Sequence, residues 1–353
     1  MPSPNLNLSN DINPDLVARS RPPAKLNLFL ELLALRNDGF HEIDTVMVPI
    51  DWCDQLSLRR TFDPAIRLAV DWLPSRDAIA AELGLQPESS AAADLLTIPN
   101  DESNLVYRAL DRFIETFAVT GGFDCSLGKS IPAGAGMGGA SSDAAAVLRM
   151  AATLCGIDLG LPRLHEIAAE IGSDVPFFMG HPGNNETPIA AARATGRGEK
   201  IESVEIGQPL HFVVVFPAVT LSTALVYANS QVPREPQSAE RLVISLGDEN
   251  SHGFEGLLLN RLEEPAKKIA PQINEILKSM WRSGLRTCQL TGSGSACFAI
   301  LSSATEARES EQQLQAELFD LLAMEKGTEG SGVRAQAAKS VTVPTDVELS
   351  PTS

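Results

Sequence analysis

Gly134, Gly136, Gly138 and Gly139 crowd the stretch "IPAGAGMGGASSDAA", residues 131 to 145, with Ser141, Ser142 and Asp143 just behind them. Closely spaced glycines let backbone N–H groups turn toward one point with no Cβ in the way. A helix starting behind them presents the positive end of its dipole to the same point. Together these make a cradle for a phosphate chain, with no lysine needed in the loop. Ser141, Ser142 and Asp143 are the expected caps of the helix. A flexible linker ahead of a capped helix is the plain alternative, but linkers are seldom this apolar. Gly134, Gly136 and Gly139 also satisfy G-x-G-x-x-G. A dinucleotide site, however, needs a buried strand running straight into the first glycine, and here Lys129-Ser130-Ile131-Pro132 intervene. "GKS" at 128–130 imitates a Walker loop, yet that motif requires glycine where Phe123 stands.

Three other segments carry chemistry. "PPAKLN" sets Lys25 in an apolar strand, where lysine usually needs a reason. "IGSDVPFF" sets Asp174 between a helix end and an apolar run, and "LTGSGSACF" is a second glycine turn. Taken singly they read as a snorkelling edge lysine, a turn aspartate and a tight hairpin. Taken with a phosphate cradle they read differently. Phosphoryl transfer asks for a group to take a hydroxyl proton and for a cation to meet developing negative charge.

The order P-A-K-L-N-L, then P-x-G-A-G-x-G-G-x-S-S-D-A-A, then G-S-D-V-P-F-F, then T-G-S-G-S resembles the signature motifs of the GHMP small-molecule kinases, over most of residues 22–300. The resemblance implies an α+β fold of two domains, a ribosomal-protein-S5-like N-terminal domain and a ferredoxin-like C-terminal domain, with the site in the cleft between them. It implies ATP, with Mg2+, on Pro132, Ala133, Gly134, Ala135, Gly136, Met137, Gly138, Gly139, Ala140, Ser141 and Ser142, and on Asn104 of "DESNLVYRAL". It implies Asp174 as general base and Lys25 as electrostatic stabiliser. "PAKLNLFLELLALRNDGFHEIDTVM" and "ATGRGE" resemble the branch that phosphorylates the 2-hydroxyl of a cytidine diphosphate-linked methylerythritol, in non-mevalonate isoprenoid precursor synthesis. On that pattern Asn27, Phe40, His41, Thr223, Tyr227, Gly292, Ser293 and Gly294 hold the substrate. His41 would hydrogen-bond the cytosine and Phe40, where relatives commonly have Tyr, would stack on it. No residue set announces a metal cage; Ser142 is the one candidate magnesium ligand. Another kinase of the same family, a nucleotide-dependent dehydrogenase and a silent nucleotide-binding module are the rival readings.

Elements must bring these distant residues together. The chain has 353 residues, 44% hydrophobic and 21% charged, enough for two globular domains. A net charge of −17 argues against nucleic-acid partners but not against a small anion in a locally positive pocket. Five scattered cysteines without C-x-x-C fit a reducing compartment. No signal, transit or bilayer-spanning segment is legible. The expectation is a cytoplasmic monomer or weak homodimer without membrane contact.

The domain plan reads as a polar leader at 1–20, an ATP-binding domain at 21–205, a C-terminal domain at 206–325, and an extension with a poorly ordered polar tail at 326–353. "AKLNLFLELLAL" and "EIDTVMVPI" read as a hairpin about Asp38-Gly39, with short strands at "DQLSLRR" and "IRLAV". Residues 74–97 read as an inserted short helix and a Ser/Ala loop. A helical stripe follows from Leu105, with Ser103 as its cap. The helix behind the glycine loop stops at Gly156, and another starts near Pro162. Beyond an expanded "MGHPGNNETPIAA" come a buried strand "LHFVVVFP", a helix at "STALVYANS", two helices separated by proline, a strand–turn–strand about Gly292, and a last amphipathic helix.

Overall fold

The computed structural model describes residues 12–180, 188–249, 254, 256–326 and 332–351. Three sheets organise the α+β chain. The first runs β14 (Glu348–Pro351), β1 (Leu16–Ser20), β4 (Gln55–Thr61), β6 (Gly122–Lys129), β5 (Ile66–Trp72). The second runs β10 (Leu259–Asn260), β2 (Pro23–Leu35), β3 (His41–Cys53), β7 (Ala191–Gly196), β8 (Lys200–Val204). The third runs β11 (Gln289–Leu290), β12 (Cys297–Leu301), β9 (His211–Pro217), β13 (Val333–Lys339). Helices α1 (Arg76–Glu82) to α6 (Val175–Met179) belong to the first half, with α2 (Ser90–Leu96), α3 (Leu105–Phe117), α4 (Gly139–Cys155) and α5 (Pro162–Ile171) between them. The second half holds α7 (Thr223–Ala228), α8 (Glu240–Gly247), α9 (Glu263–Ile269), α10 (Gln272–Arg282) and α11 (Ala304–Lys326).

The expected hairpin is β2–β3, in register Lys25↔Pro49 and Asn27↔Met47. Ala24, Leu26 and Leu28 of β2 enter one core cluster. Lys25 and Asn27 are one residue out of step and so face the other way. The stripe on α3 buries Val106, Leu110, Phe113 and Phe117 in a cluster with Leu148 and Ala151 of α4. That packing fixes the helix behind the glycine loop. The proline-separated helices are α9 and α10, with Pro271 at the N-cap of the second.

Several local expectations are corrected. The cap of α3 is Asn104, whose side chain accepts from Val106 N at 2.9 Å, while Ser103 bonds Asp101 instead. The Ser/Ala loop of the insertion is the helix α2, because Ser89 Oγ accepts from Ala92 N and the alanine run favours helix. The leader supplies strand β1, which pairs with β4. The polar C-terminal stretch is not a loose tail. Val333–Lys339 pairs with β9, and Glu348–Pro351 pairs with β1. Its alternation of small apolar and polar side chains suits sheet edges; Val333, Ala335 and Ala338 are buried. Residues 1–11 of the leader, 181–187 of the expanded segment, and 327–331, 352 and 353 of the extension lie outside the described residues.

Candidate active site

The glycine loop lies between the two halves. Lys25 N donates to Met137 O at 2.9 Å and Ala296 N to Ala135 O at 3.1 Å, so the loop is stitched to β2 on one side and to the turn before β12 on the other. Gly136 (φ +76°) must be glycine: a Cβ there would stand 2.3 Å from Thr291 O. At Gly138 (φ +70°) a Cβ would stand 3.1 Å from Lys25 Cε.

Gly138 is also the N-cap of α4, and no side chain caps that helix. This corrects the expected Ser/Asp cap. The left-handed φ of Gly138 turns the chain into the helix two residues before Ser141, and Asp143 is drawn inward by Lys129. The first-turn amides of a 17-residue helix therefore remain available to an anion. A cavity of about 320 Å3 opens there, lined by every residue from Pro132 to Ser141, by Asn104 and Thr223, and by apolar Ile98, Leu105 and Leu127. Ser142 sits behind this lining, fully buried, its Oγ without a hydrogen-bond partner.

Lys25 and Asp174, 149 positions apart in sequence, meet at 3.6 Å. Lys25 is 4% exposed, and its ammonium also donates to Asn27 Oδ1 at 2.5 Å and to Gly136 O at 2.9 Å. Burial pushes its pKa below the ordinary lysine value, and the Asp174 carboxylate pulls it part of the way back. Asp174 is the N-cap of α6 but makes no capping bond, so its carboxylate, 35% exposed, stays free toward the cleft. Asn27 is fixed in turn: its Nδ2 donates to Thr45 Oγ1 at 2.8 Å, and its N–H to Thr291 Oγ1 at 3.0 Å.

The second glycine turn closes the other side. Asn260 Nδ2 donates to Leu290 O and Gly292 O, both at 2.8 Å, and Gln289 Nε2 donates to Asn27 O and Leu28 O at 3.0 and 2.9 Å. Ser293 and Thr223 share a hydroxyl contact of 2.9 Å. Gly294 N lies 2.9 Å from where a Gly136 Cβ would be, so the two glycine turns touch. At the outer end the His41 and Tyr227 rings lie 5.3 Å apart. Burial, then the nearby Asp174 carboxylate, raises the Tyr227 phenol. Phe40 stands 51% exposed, with the Arg197 guanidinium 5.0 Å from its ring centre.

Sequence reasoning overlooked several participants. Lys129, set aside with the false Walker motif, lines the phosphate cavity and is paired with Asp54 and, at 2.8 Å, with Asp143. Two buried carboxylates share this one cation. Burial foremost, with Asp54 adding to it, raises the Asp143 carboxyl against the pull of Lys129. Arg197 lay inside the noted "ATGRGE" without receiving a role. Its neighbour Gly198 packs 3.7 Å from Asp174 Oδ1, measured from an ideal Cβ, and Arg197 has no carboxylate within ion-pair distance among the described residues. Asn260 and Gln289 gave no sequence signal.

All five cysteines are free. Among the described residues no helix is long and apolar enough to cross a membrane, and no group of three His, Cys, Asp or Glu side chains could hold a metal.

Comparison with known proteins matches residues 104–181 to the GHMP kinases N terminal domain and residues 245–320 to the GHMP kinases C terminal domain. The chain is 48% identical to the 4-diphosphocytidyl-2-C-methyl-D-erythritol kinase of Rhodopirellula baltica, over 81% of this chain and 87% of that one. It is similar to a crystal structure of 4-(cytidine 5'-diphospho)-2C-methyl-D-erythritol kinase, with a TM-score of 0.66 and 28% identity over 91% of this chain and 98% of that one. A homoserine kinase from Cytophaga hutchinsonii shares the fold at a TM-score of 0.63 and 17% identity, over 95% and 98% of the two chains.

Proposed function

This chain belongs to the GHMP kinases, in the family of 4-diphosphocytidyl-2-C-methyl-D-erythritol kinases, and on that premise we propose that it phosphorylates the 2-hydroxyl of that compound from ATP. The observation that carries the reading is the Lys25–Asp174 contact of 3.6 Å beneath a cradle of free helix amides. In this reading the loop from Pro132 to Ser142 holds the phosphate chain of ATP, and Asn104 and the apolar walls hold the rest of the nucleotide. Asp174 accepts the proton of the attacking hydroxyl. Lys25 meets the negative charge gathering on the transferred group. Asn27 orients the ammonium, and Gly292, Ser293 and Gly294 cover the reacting end.

The acceptor then extends from Asp174 toward Phe40, His41 and Tyr227. Its cytosine stacks on Phe40 and reaches His41. Its diphosphate must cross the interval between base and hydroxyl, where Arg197 stands between Phe40 and Asp174. Arg36 of the same hairpin turn is already held by Asp38 and Glu42 at 3.1 and 2.8 Å, which leaves Arg197 to meet the phosphates. Ser142 Oγ, buried and unpartnered, fits as the protein ligand of a magnesium ion that arrives with ATP; such an ion supplies neutralisation of phosphate charge when bound.

The test is ADP release from ATP with the cytidyl compound beside an analogue lacking the cytidyl group. Turnover confined to the cytidyl compound is expected. Equal turnover with both, or turnover only with homoserine or mevalonate in the same panel, would overturn the substrate assignment.

A further inference from the structure

The base of the glycine loop is held by hydrogen bonds from several other segments. Ser130 and Ile131 both donate their N–H groups to Asp54 Oδ1, at 2.5 and 2.8 Å. Lys129 O accepts from Leu73 N at 2.6 Å. Ser130 O accepts from Trp52 Nε1 at 3.1 Å and from Arg334 Nη1 at 2.8 Å. Arg334 comes from β13, in the stretch that reads in sequence as a polar extension. It is 8% exposed, lies over the Trp52 ring at 5.0 Å from its centre, and directs Nε to Glu82 at 3.2 Å. Glu82 ends α1 of the 74–97 insertion, and Gly332 N ties the same strand to that insertion through Leu83 O at 3.0 Å. Insertion and extension, two segments outside the signature motifs, thus converge on one guanidinium.

We propose that β13 is part of the nucleotide site, with Arg334 as the positioning residue that fixes the base of the glycine loop and thereby sets ATP affinity. The proposal rests on the nucleotide reading given above. A loop with four glycines in eight residues loses unusually large conformational freedom when it closes on a phosphate chain. Anchoring its base in advance removes part of that cost, the general benefit of preorganisation. Arginine suits the task because its planar fork donates in fixed directions while its face lies on an aromatic ring; a lysine cannot do both. Arg334 touches neither Lys25 nor Asp174, so the chemistry is expected to proceed normally once ATP is bound.

The test compares wild type with Arg334→Met and Arg334→Lys, by titration with a fluorescent non-hydrolysable ATP analogue and by steady-state kinetics. Arg334→Met should raise the analogue Kd and the KM for ATP about tenfold, the worth of one charge-assisted hydrogen bond, while kcat and the acceptor KM stay within about twofold. Should that variant not accumulate as folded protein, Arg334→Lys decides: its ammonium cannot serve Ser130, Trp52 and Glu82 together, so a rise in Kd below that of a full deletion is expected. Unchanged analogue affinity in the folded variants would overturn the proposal. So would losses shared equally by ATP affinity, kcat and acceptor KM, the mark of general loosening. If wild type itself does not bind the analogue, the nucleotide reading falls, and Arg334's role falls with it.

Discussion

Lys25→Met, Asp174→Asn and the double variant should lose turnover by nearly the same factor. The two charges stand 3.6 Å apart. At an effective dielectric near 20 their attraction is on the order of 4 kcal/mol, an upper figure here because water reaches a third of Asp174. At about 1.4 kcal/mol per tenfold, that figure caps the coupling between the two residues, the joint part of their effect, at about a thousandfold. Each single variant forfeits that joint part together with its own, so kcat should fall by about a hundredfold to ten-thousandfold. The double variant loses the joint part only once and should lie within about tenfold of the worse single. ADP release at saturation in both substrates measures this. Binding of a non-hydrolysable ATP analogue, largely retained in Asp174→Asn, separates chemistry from affinity. Losses that simply multiply would refute the idea of a single functional unit, and a single variant with wild-type turnover would remove that residue's assigned role.

Arg197→Ala should raise the KM of the cytidyl acceptor at least about tenfold and leave the KM for ATP unchanged, the signature of a lost phosphate contact rather than lost stability. Phe40→Ala should weaken the same acceptor by about tenfold or more, since stacking on a base carries roughly 1–3 kcal/mol, whereas Phe40→Tyr should resemble wild type. Equal binding of cytidyl and non-cytidyl analogues in wild type would argue against both. Asp143 gives a stability prediction. A carboxyl whose folded pKa is raised contributes stability that is complete below its unfolded value, about 3.9, and lost as pH rises through the folded value. Asp143→Asn removes that loss, so the Tm of the variant relative to wild type should increase from about pH 4 to about pH 8 and level off above. A pH-independent difference between the two melting curves would contradict the shared-cation picture.

What the sequence disclosed follows from how local each signal is. The glycine loop, the β2–β3 hairpin and the stripe on α3 announce themselves within a few residues, because turn chemistry and hydrophobic period are local properties. The start of α4 is masked in sequence because a serine or aspartate ahead of a helix looks like a cap; only the course of the chain at Gly138 reveals that those side chains lie inside the first turns. Lys129 was hidden by its partners, since Asp54 and Asp143 come from different elements and neither spacing suggests a cluster. Arg334 and Asn260 were illegible for the same reason. Their hydrogen bonds go to carbonyls of remote segments, and a backbone carbonyl leaves no trace in the identity of its residue.

Strand β1 finds its outer neighbour, β14, at the opposite end of the chain, with Leu16 beside Pro351. The first sheet therefore cannot be completed until the C-terminal residues have been synthesised, however early its other strands assemble. Trimming that end would open two ladders at once, along β1 and along β9, far from where the cut was made. Linking Pro351 directly to Leu16 through a short peptide and opening the chain at an exposed loop elsewhere should, by the same logic, leave the sheet intact.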